Sequence, residues 1–278
     1  MSSLSFMEIL RQMTVVDQSD LKYLGYASVV YFVYRYIMCN YILNKIGKAC
    51  RVKNVMKFTH RSFDMVHYVL TCAVGLIAMG QRPYGHCVYY AKNCGDYLGQ
   101  NPNGFECTIL EKIYYIQFTT YYVVDLFYIW TSNEPIMLII HHFVCISMIF
   151  SCVLLKSPVV GPSIMLLHDL VDVPLYVGKI LLYLGFNTAK DFALYSFAIL
   201  CTWFRIINYP MIIYHCLKIA VNDPYMPILY RGTCCLLCVL YILHLIWQKK
   251  ILDNVIEIIH GAEAHDNRSD EIKKDKND

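Results

Sequence analysis

Charge is what this chain has least of. Only 16% of its 278 residues are Asp, Glu, Lys or Arg, against about 25% in an average soluble protein. Apolar residues make up 57% of the chain, and the mean hydropathy is +0.42. They lie in long blocks, not in strict alternation or along one narrow helical stripe. That pattern excludes an ordinary soluble enzyme and indicates helices that cross a bilayer. The formal net charge of +3 is too small to argue for nucleic acid, so no such partner is expected. A cleavable leader is also not expected, because the first twenty residues lack a basic stretch followed by a long apolar one. Thirteen cysteines are present without the setting of a disulfide framework. Nine of them (Cys39, Cys72, Cys145, Cys152, Cys201, Cys216, Cys234, Cys235 and Cys238) sit inside apolar blocks, where a thiol behaves as a small hydrophobe. Cys235 and Cys238 have redox-motif spacing, but their apolar setting offers nothing to stabilise a thiolate.

What is there reads as an all-α, polytopic transmembrane bundle of about seven spans. They run from about Tyr23 to Ile46, Asp64 to Met79, Ile113 to Trp130, Ile136 to Leu155, Ser163 to Leu184, Phe192 to Leu217 and Ile228 to Trp247. Six spans result if the short second one, or the last, is re-entrant. The chain divides into an N-terminal segment (1–22), a membrane domain (23–248) and a charged tail (249–278) with almost no aromatics, expected to be disordered. A Gly-, Pro- and Asn-punctuated connection at 80–112 holds Cys87, Cys94 and Cys107, of which two could pair in an oxidising lumen. Six cations without an acid (Lys45, Lys48, Arg51, Lys53, Lys57, Arg61) follow the first span, and Lys249 and Lys250 close the last. Positive residues favour the cytosolic side, so both segments and the C-terminus are placed there.

Against this background one stretch stands out. Between His141 and Lys179 an almost wholly apolar sequence carries His141, His142, His168, Asp169 and Asp172. Ionisable groups inside a membrane are expensive and mark a functional site by default. His168 and Asp172 are four residues apart, and Asp169 and Asp172 three, so each pair shares a helix face. His141 and His142 lie about 100° apart around their helix and need not share a role. A short turn at 156–162 makes the two helices expected antiparallel neighbours. Imidazoles backed by carboxylates suit general acid–base or nucleophilic catalysis. The same residues could bind a metal, but none is required, and a di-iron oxidase would need a larger array of histidines. The plain alternative is that these groups only hydrogen-bond helices together.

His141-His142, twenty-five intervening residues, and His168-Asp169-x-x-Asp172 resemble the Lag motif of ceramide synthases, members of the TLC-domain superfamily. The likeness extends to Arg35 in the first span, Lys57-Phe58, Tyr114 with Gln117, Tyr121-Tyr122, Val160-Gly161, Lys179, and Arg205 with Pro210. It covers roughly residues 25–250. The sequence departs from the family where Tyr176 stands for Glu, Leu170 for Ser and Pro174 for Leu, and where His60 and Phe63 stand for Glu and Trp. No homeobox-like insert is present.

The resemblance implies N-acylation of a sphingoid long-chain base by a fatty acyl-CoA in the endoplasmic reticulum membrane. No cofactor is implied beyond the co-substrate acyl-CoA, and the protein could act as a homo- or heterodimer. His141 or His142 would be base or nucleophile, with His168 second; Asp169 and Asp172 would orient imidazoles and bind the ammonium. Arg205, Gln117 and Lys179 would have substrate-binding or structural roles. The basic run Lys45, Lys48, Arg51, Lys53 and Lys57 is a candidate dock for the CoA phosphates, or simply a topology signal. In the family the loop between the last two spans, here Val221 to Tyr230, influences acyl length. Ser269 sits in an acidic tail segment resembling the family's kinase target, and Lys274 and Lys276 have the form of a retrieval signal. The Asn267 sequon would meet no glycosyltransferase from the cytosol. The competing readings are a non-catalytic TLC-domain protein (a lipid sensor, cargo receptor or translocation accessory) and another membrane acyltransferase or lipid oxidase.

Overall fold

The computed structural model describes residues 20–80, 82, 85–90, 107–131, 135–155 and 160–260. The N-terminal segment before Asp20, Cys94, the turns at 132–134 and 156–159, and the tail with Asn267, Ser269, Lys274 and Lys276 lie outside the described residues. Among the described residues all regular structure is helical. Helix α1 (Leu21–Ile37) passes through a π-helical turn (Met38–Leu43) into α2 (Asn44–Ala49). Arg51, at φ 53°, turns the chain, and Asn54 accepts the Lys57 backbone N–H at 3.0 Å as α3 (Val55–Gly80) begins. Then come α4 (Gly85–Tyr90), α5 (Ile109–Thr131), α6 (Ile136–Leu154) and α7 (Val160–Leu184). Gly185, at φ 81°, ends α7 in the left-handed conformation that glycine adopts without a Cβ penalty. Helix α8 (Asn187–Cys201) continues through a second π-helical turn (Thr202–Asn208) into α9 (Tyr209–Asn222), and α10 (Ile228–Ile259) follows Pro227.

Among the described residues these elements make a multi-pass transmembrane bundle of seven long helical columns. Val55–Gly80, Ile136–Leu154, Asn187–Asn222 and Ile228–Ile259 are, by length and apolar composition, sufficient to cross a membrane. The other three columns carry ionisable residues inward: Arg35 on α1, Asp125 on α5, and Asp169 and Asp172 on α7. Two boundaries differ from expectation. The second span is not short, because the polar stretch from Lys57 to Arg61 is already the first turns of α3. The last helix runs to Ile259, so the first part of the segment expected to be disordered is helical. Its apolar Ile251, Val255 and Ile258 recur at helical spacing and are partly buried.

Helix contacts close a ring. α5 packs on α6, α6 on α10, α10 on the α8–α9 column, that column on α7, α7 on α3, and α3 back on α5. Helix α1 lies outside, against α5, and the π-helical turn and α2 that follow it pack on α3; Arg35 is the one buried residue of α1. In lipid the hydrophobic effect gives helices little reason to associate, so close packing and hydrogen bonds must hold them. The interior meets that need with aromatics: Tyr114, Tyr121, Tyr122, Tyr209 and Phe63 are among its largest fully buried side chains. Phe118 and Tyr122 stack at 4.5 Å and Tyr68 and Tyr176 at 5.1 Å. At Gly75 an added Cβ would come within 2.9 Å of the Tyr114 ring and 3.0 Å of Leu166, so only glycine fits there without displacing a neighbour. At Gly161 a Cβ would collide with Tyr115.

α6 and α7 touch, as expected of neighbours, but neither is the other's main partner. α6 leans chiefly on α5 and α10, α7 on α3 and α8, and the two touch only lightly. A small apolar pocket lined by both lies between them.

Candidate active site

One cavity of about 280 Å³ opens at the end of the ring where α6 and α8 begin and α7 ends. Its polar lining includes His141, His142, Asp125, Asp172, Arg205 and Tyr121. The wall is otherwise apolar and aromatic, with Leu138, Leu175, Leu194, Phe197 and Trp247 among the residues lining it. Pro174, inside α7, lines it too. Having no N–H, this proline removes one rung of the helical ladder beside the cavity.

Two networks of buried groups meet there. In the first, Arg35 Nη1 donates to Asp125 Oδ1 at 2.6 Å, and the other oxygen of Asp125 lies 3.0 Å from His142 Nε2. His142 Nδ1 donates to the Leu138 carbonyl at 3.0 Å. Both nitrogens of this ring therefore face oxygen atoms of the protein and are engaged within the network. Asp64 joins from α3: Arg61 donates to it at 3.3 Å, Tyr121 at 3.3 Å, and Arg35 approaches to 3.9 Å. His67 stacks face to face on Tyr121 at 3.8 Å and meets the Tyr31 hydroxyl at 3.0 Å. A buried guanidinium is tolerable only when paired, and Arg35 has carboxylates from two helices.

In the second network, Arg205 Nη2 donates to Asp172 Oδ1 at 2.7 Å and to the His168 carbonyl at 3.0 Å. His168 Nδ1 donates to the Ile164 carbonyl at 2.7 Å, and its Nε2 lies 2.9 Å from Nε2 of His244 on α10. In a neutral ring this makes Nε2 of His168 the acceptor and Nε2 of His244 the donor. Asp169 accepts the Tyr114 hydroxyl at 2.9 Å. Both arginines sit at π-helical turns, Arg35 just before one and Arg205 within the other. Such turns, which reset a helix's register, are frequent at functional sites.

His141 lies between the networks. Its ring is 5.6 Å from that of His142, 6.3 Å from that of His168 and 5.2 Å from Trp247, and the Cys145 sulfur is 3.6 Å from its Nε2.

The residues singled out in the sequence divide accordingly. His141, His142, Asp172, Arg205 and Lys179 line the cavity. His168 and Asp169 do not; His168 instead borders the small apolar pocket between α6, α7 and α10. Neither aspartate of α7 orients an imidazole: Asp172 is taken by Arg205 and Asp169 by Tyr114. Gln117 is half-buried on α5, away from the cavity lining. Lys45, Lys48, Arg51, Lys53 and Lys57 do not line the cavity either. Cys87 is disulfide-bonded, whereas Cys107, Cys235 and Cys238 are free. Among the described residues no three His, Cys, Asp or Glu side chains converge as a metal site. Sequence reasoning gave no role to Asp125 or His244. Both are ionisable residues inside apolar spans, so the rule that picked out His141 also covers them.

The TRAM_LAG1_CLN8 family of TLC domains matches residues 57–253. The chain belongs to the TLC domain family. The matched region takes in the second network, the first apart from Arg35 and Tyr31, and the cavity's polar lining apart from Asn254. Among curated TLC-like relatives, the chain is 25% identical over 260 residues to Alternaria stem canker resistance protein 1 of Solanum lycopersicum, covering 85% of this chain and 84% of that protein. It is 24% identical over 234 residues to Ceramide synthase 3 of Mus musculus, covering 82% of this chain and 58% of the mouse protein. It is 32% identical over 145 residues to mouse Ceramide synthase 4, covering 50% of this chain and 36% of that protein.

Proposed function

We propose that this TLC-domain protein is a ceramide synthase of the endoplasmic reticulum. It would join a fatty acyl chain from acyl-CoA to the amine of a sphingoid long-chain base. The observation that carries the reading is the convergence of His141, His142, Asp172 and Arg205 on one cavity inside an otherwise apolar ring. The distant similarity to ceramide synthases supports the same choice of substrates.

His141 is the base or nucleophile. It borders the cavity, whereas both nitrogens of His142 face oxygen acceptors and His168 is turned to His244. In the direct route the substrate ammonium gives a proton to His141, and the freed amine attacks the thioester carbonyl. The C–S bond then breaks, the thiolate takes the proton from the imidazolium, and the restored imidazole takes the second amine proton from the new amide nitrogen and releases it to water. In the alternative route His141 attacks first, CoA thiol leaves, and the amine resolves an acyl-imidazole. Arg205, cationic and at the cavity wall, faces the oxyanion in both. Asp172, held by Arg205, lies where it can bind the incoming ammonium.

The test is expression in microsomes with labelled sphinganine and a panel of acyl-CoAs. Wild type should give an N-acyl product. His141→Ala and Asp172→Asn should each lower its formation by at least about a hundredfold while the protein still accumulates. Retained activity in both would remove the catalytic assignment.

A second reading, a non-catalytic lipid sensor or cargo protein, has one observation in its favour. The Asp172 and His168 side chains are both committed to partners within the protein. A bound lipid recovered without any acylated product would support it.

A further inference from the structure

The cavity has a feature that its catalytic residues do not use. Three lysines line it: Lys179 near the end of α7, Lys190 in the first turn of α8 and Lys250 on α10. α8 packs on both α7 and α10, so the three come from neighbouring columns. Lysines at the end of a span ordinarily stretch their ammonium outward into water or lipid headgroups. Lys190 does the opposite. It is only 6% exposed, and the acid beside it is its own sequence neighbour, Asp191, at 3.4 Å. A buried ammonium is costly unless an anion meets it. Lys249, next to Lys250, is exposed and does not line the cavity. Lys45, Lys48, Arg51 and Lys53 are exposed as well, as residues that only set topology would be. Apolar residues share the wall with the lysines, among them Leu175, Leu182 and Leu194.

We propose that Lys179, Lys190 and Lys250 form a phosphate-binding collar at the cavity mouth, which holds the phosphates of a coenzyme A thioester while its acyl-bearing arm passes inward to His141. This rests on the acyl-CoA-dependent function proposed above. It moves the phosphate site from the 45–57 run, where the sequence suggested it, to residues that border the reacting end.

The experiment uses the full chain in phosphatidylcholine nanodiscs and measures binding of CoA, 3′-dephospho-CoA and pantetheine, together with the KM for acyl-CoA in N-acylation. Lys179→Gln, Lys190→Gln and Lys250→Gln should each weaken CoA binding and raise the KM by about tenfold. The combined variant should lose at least about a hundredfold. Pantetheine, without phosphate, should bind all forms alike, and 3′-dephospho-CoA should show a smaller loss than CoA. Lys190→Arg keeps the charge and should hold CoA within about threefold of wild type, which separates charge from folding. Lys249→Gln should behave as wild type.

A combined variant that binds CoA and acyl-CoA as wild type does would overturn the collar and leave the synthase reading intact. So would loss of binding on neutralising Lys45 and Lys48 instead, or loss of co-purifying anionic phospholipid with CoA binding unchanged. If the variants lose CoA binding but wild type forms no amide with any acyl-CoA, the collar stands and the synthase reading falls.

Discussion

The two buried networks use the same parts in different order. Each has an arginine at a π-helical turn, an aspartate within 2.7 Å of it, and a histidine whose Nδ1 is tied to the carbonyl four residues earlier. In the first, the aspartate bridges: Asp125 takes Arg35 on one oxygen and His142 on the other. In the second, Arg205 binds the aspartate and the backbone of the histidine, and the ring of His168 turns instead to His244. Both carboxylates line the cavity, but only that of Asp125 also reaches an imidazole there. A charged residue in a membrane helix tells a reader that something is held there. Whether it holds a substrate or a neighbour depends on which oxygen is left over.

Breaking the bridge should have the larger consequence. Asp125→Ala leaves a guanidinium and an imidazole buried without their shared partner, at a cost of about 3–5 kcal/mol. The expected result is a sharp fall in thermal unfolding temperature in detergent and poor accumulation. The double variant Arg35→Met, Asp125→Leu should recover most of that stability, because no charge is then left unpaired, but it should not recover N-acylation. Recovery of both would reduce the first network to a structural tie.

Next in size is Gly75→Ala. Its methyl would push on Tyr114 and Leu166 and should cost about 1–3 kcal/mol through overpacking. Activity should fall in proportion to the folded fraction, since Asp169 and its tyrosine stand behind the cavity. Loss of turnover in fully folded protein would show that Asp169 takes part in the chemistry after all.

The smallest effect is expected from His244→Phe, which keeps a ring on α10 and deletes one hydrogen bond, worth about 0.5–1.5 kcal/mol. The KM for both substrates should stay within about threefold of wild type. A change in the pH dependence of kcat, with the fold retained, would place His244 in a proton path.

Much of this was legible beforehand. The number and approximate position of the columns followed from apolar blocks, and the pair at 141–142 followed from the cost of charge in lipid. The exceptions have physical causes. The second span looked short because Lys57, His60 and Arg61 read as a loop, although the first turns of a helix at a membrane surface accommodate such residues well. Asp172 was assigned to His168 because they share a helix face; spacing along one helix says nothing of an arginine arriving from another. The 45–57 run drew attention by its density of charge. Lys190, a single lysine beside an aspartate, had no signal of that kind, and only its burial reveals it.

Helix α1 lies outside the ring with most of its surface uncovered, yet its one buried residue, Arg35, holds the carboxylate that meets a cavity histidine. The lipid around that helix is thus a mechanical neighbour of the site. A span tilts to match the hydrocarbon thickness around it, and tilting α1 would draw on Arg35, then Asp125, then the ring of His142. Bilayers of different thickness would therefore present the same polypeptide with differently set cavities.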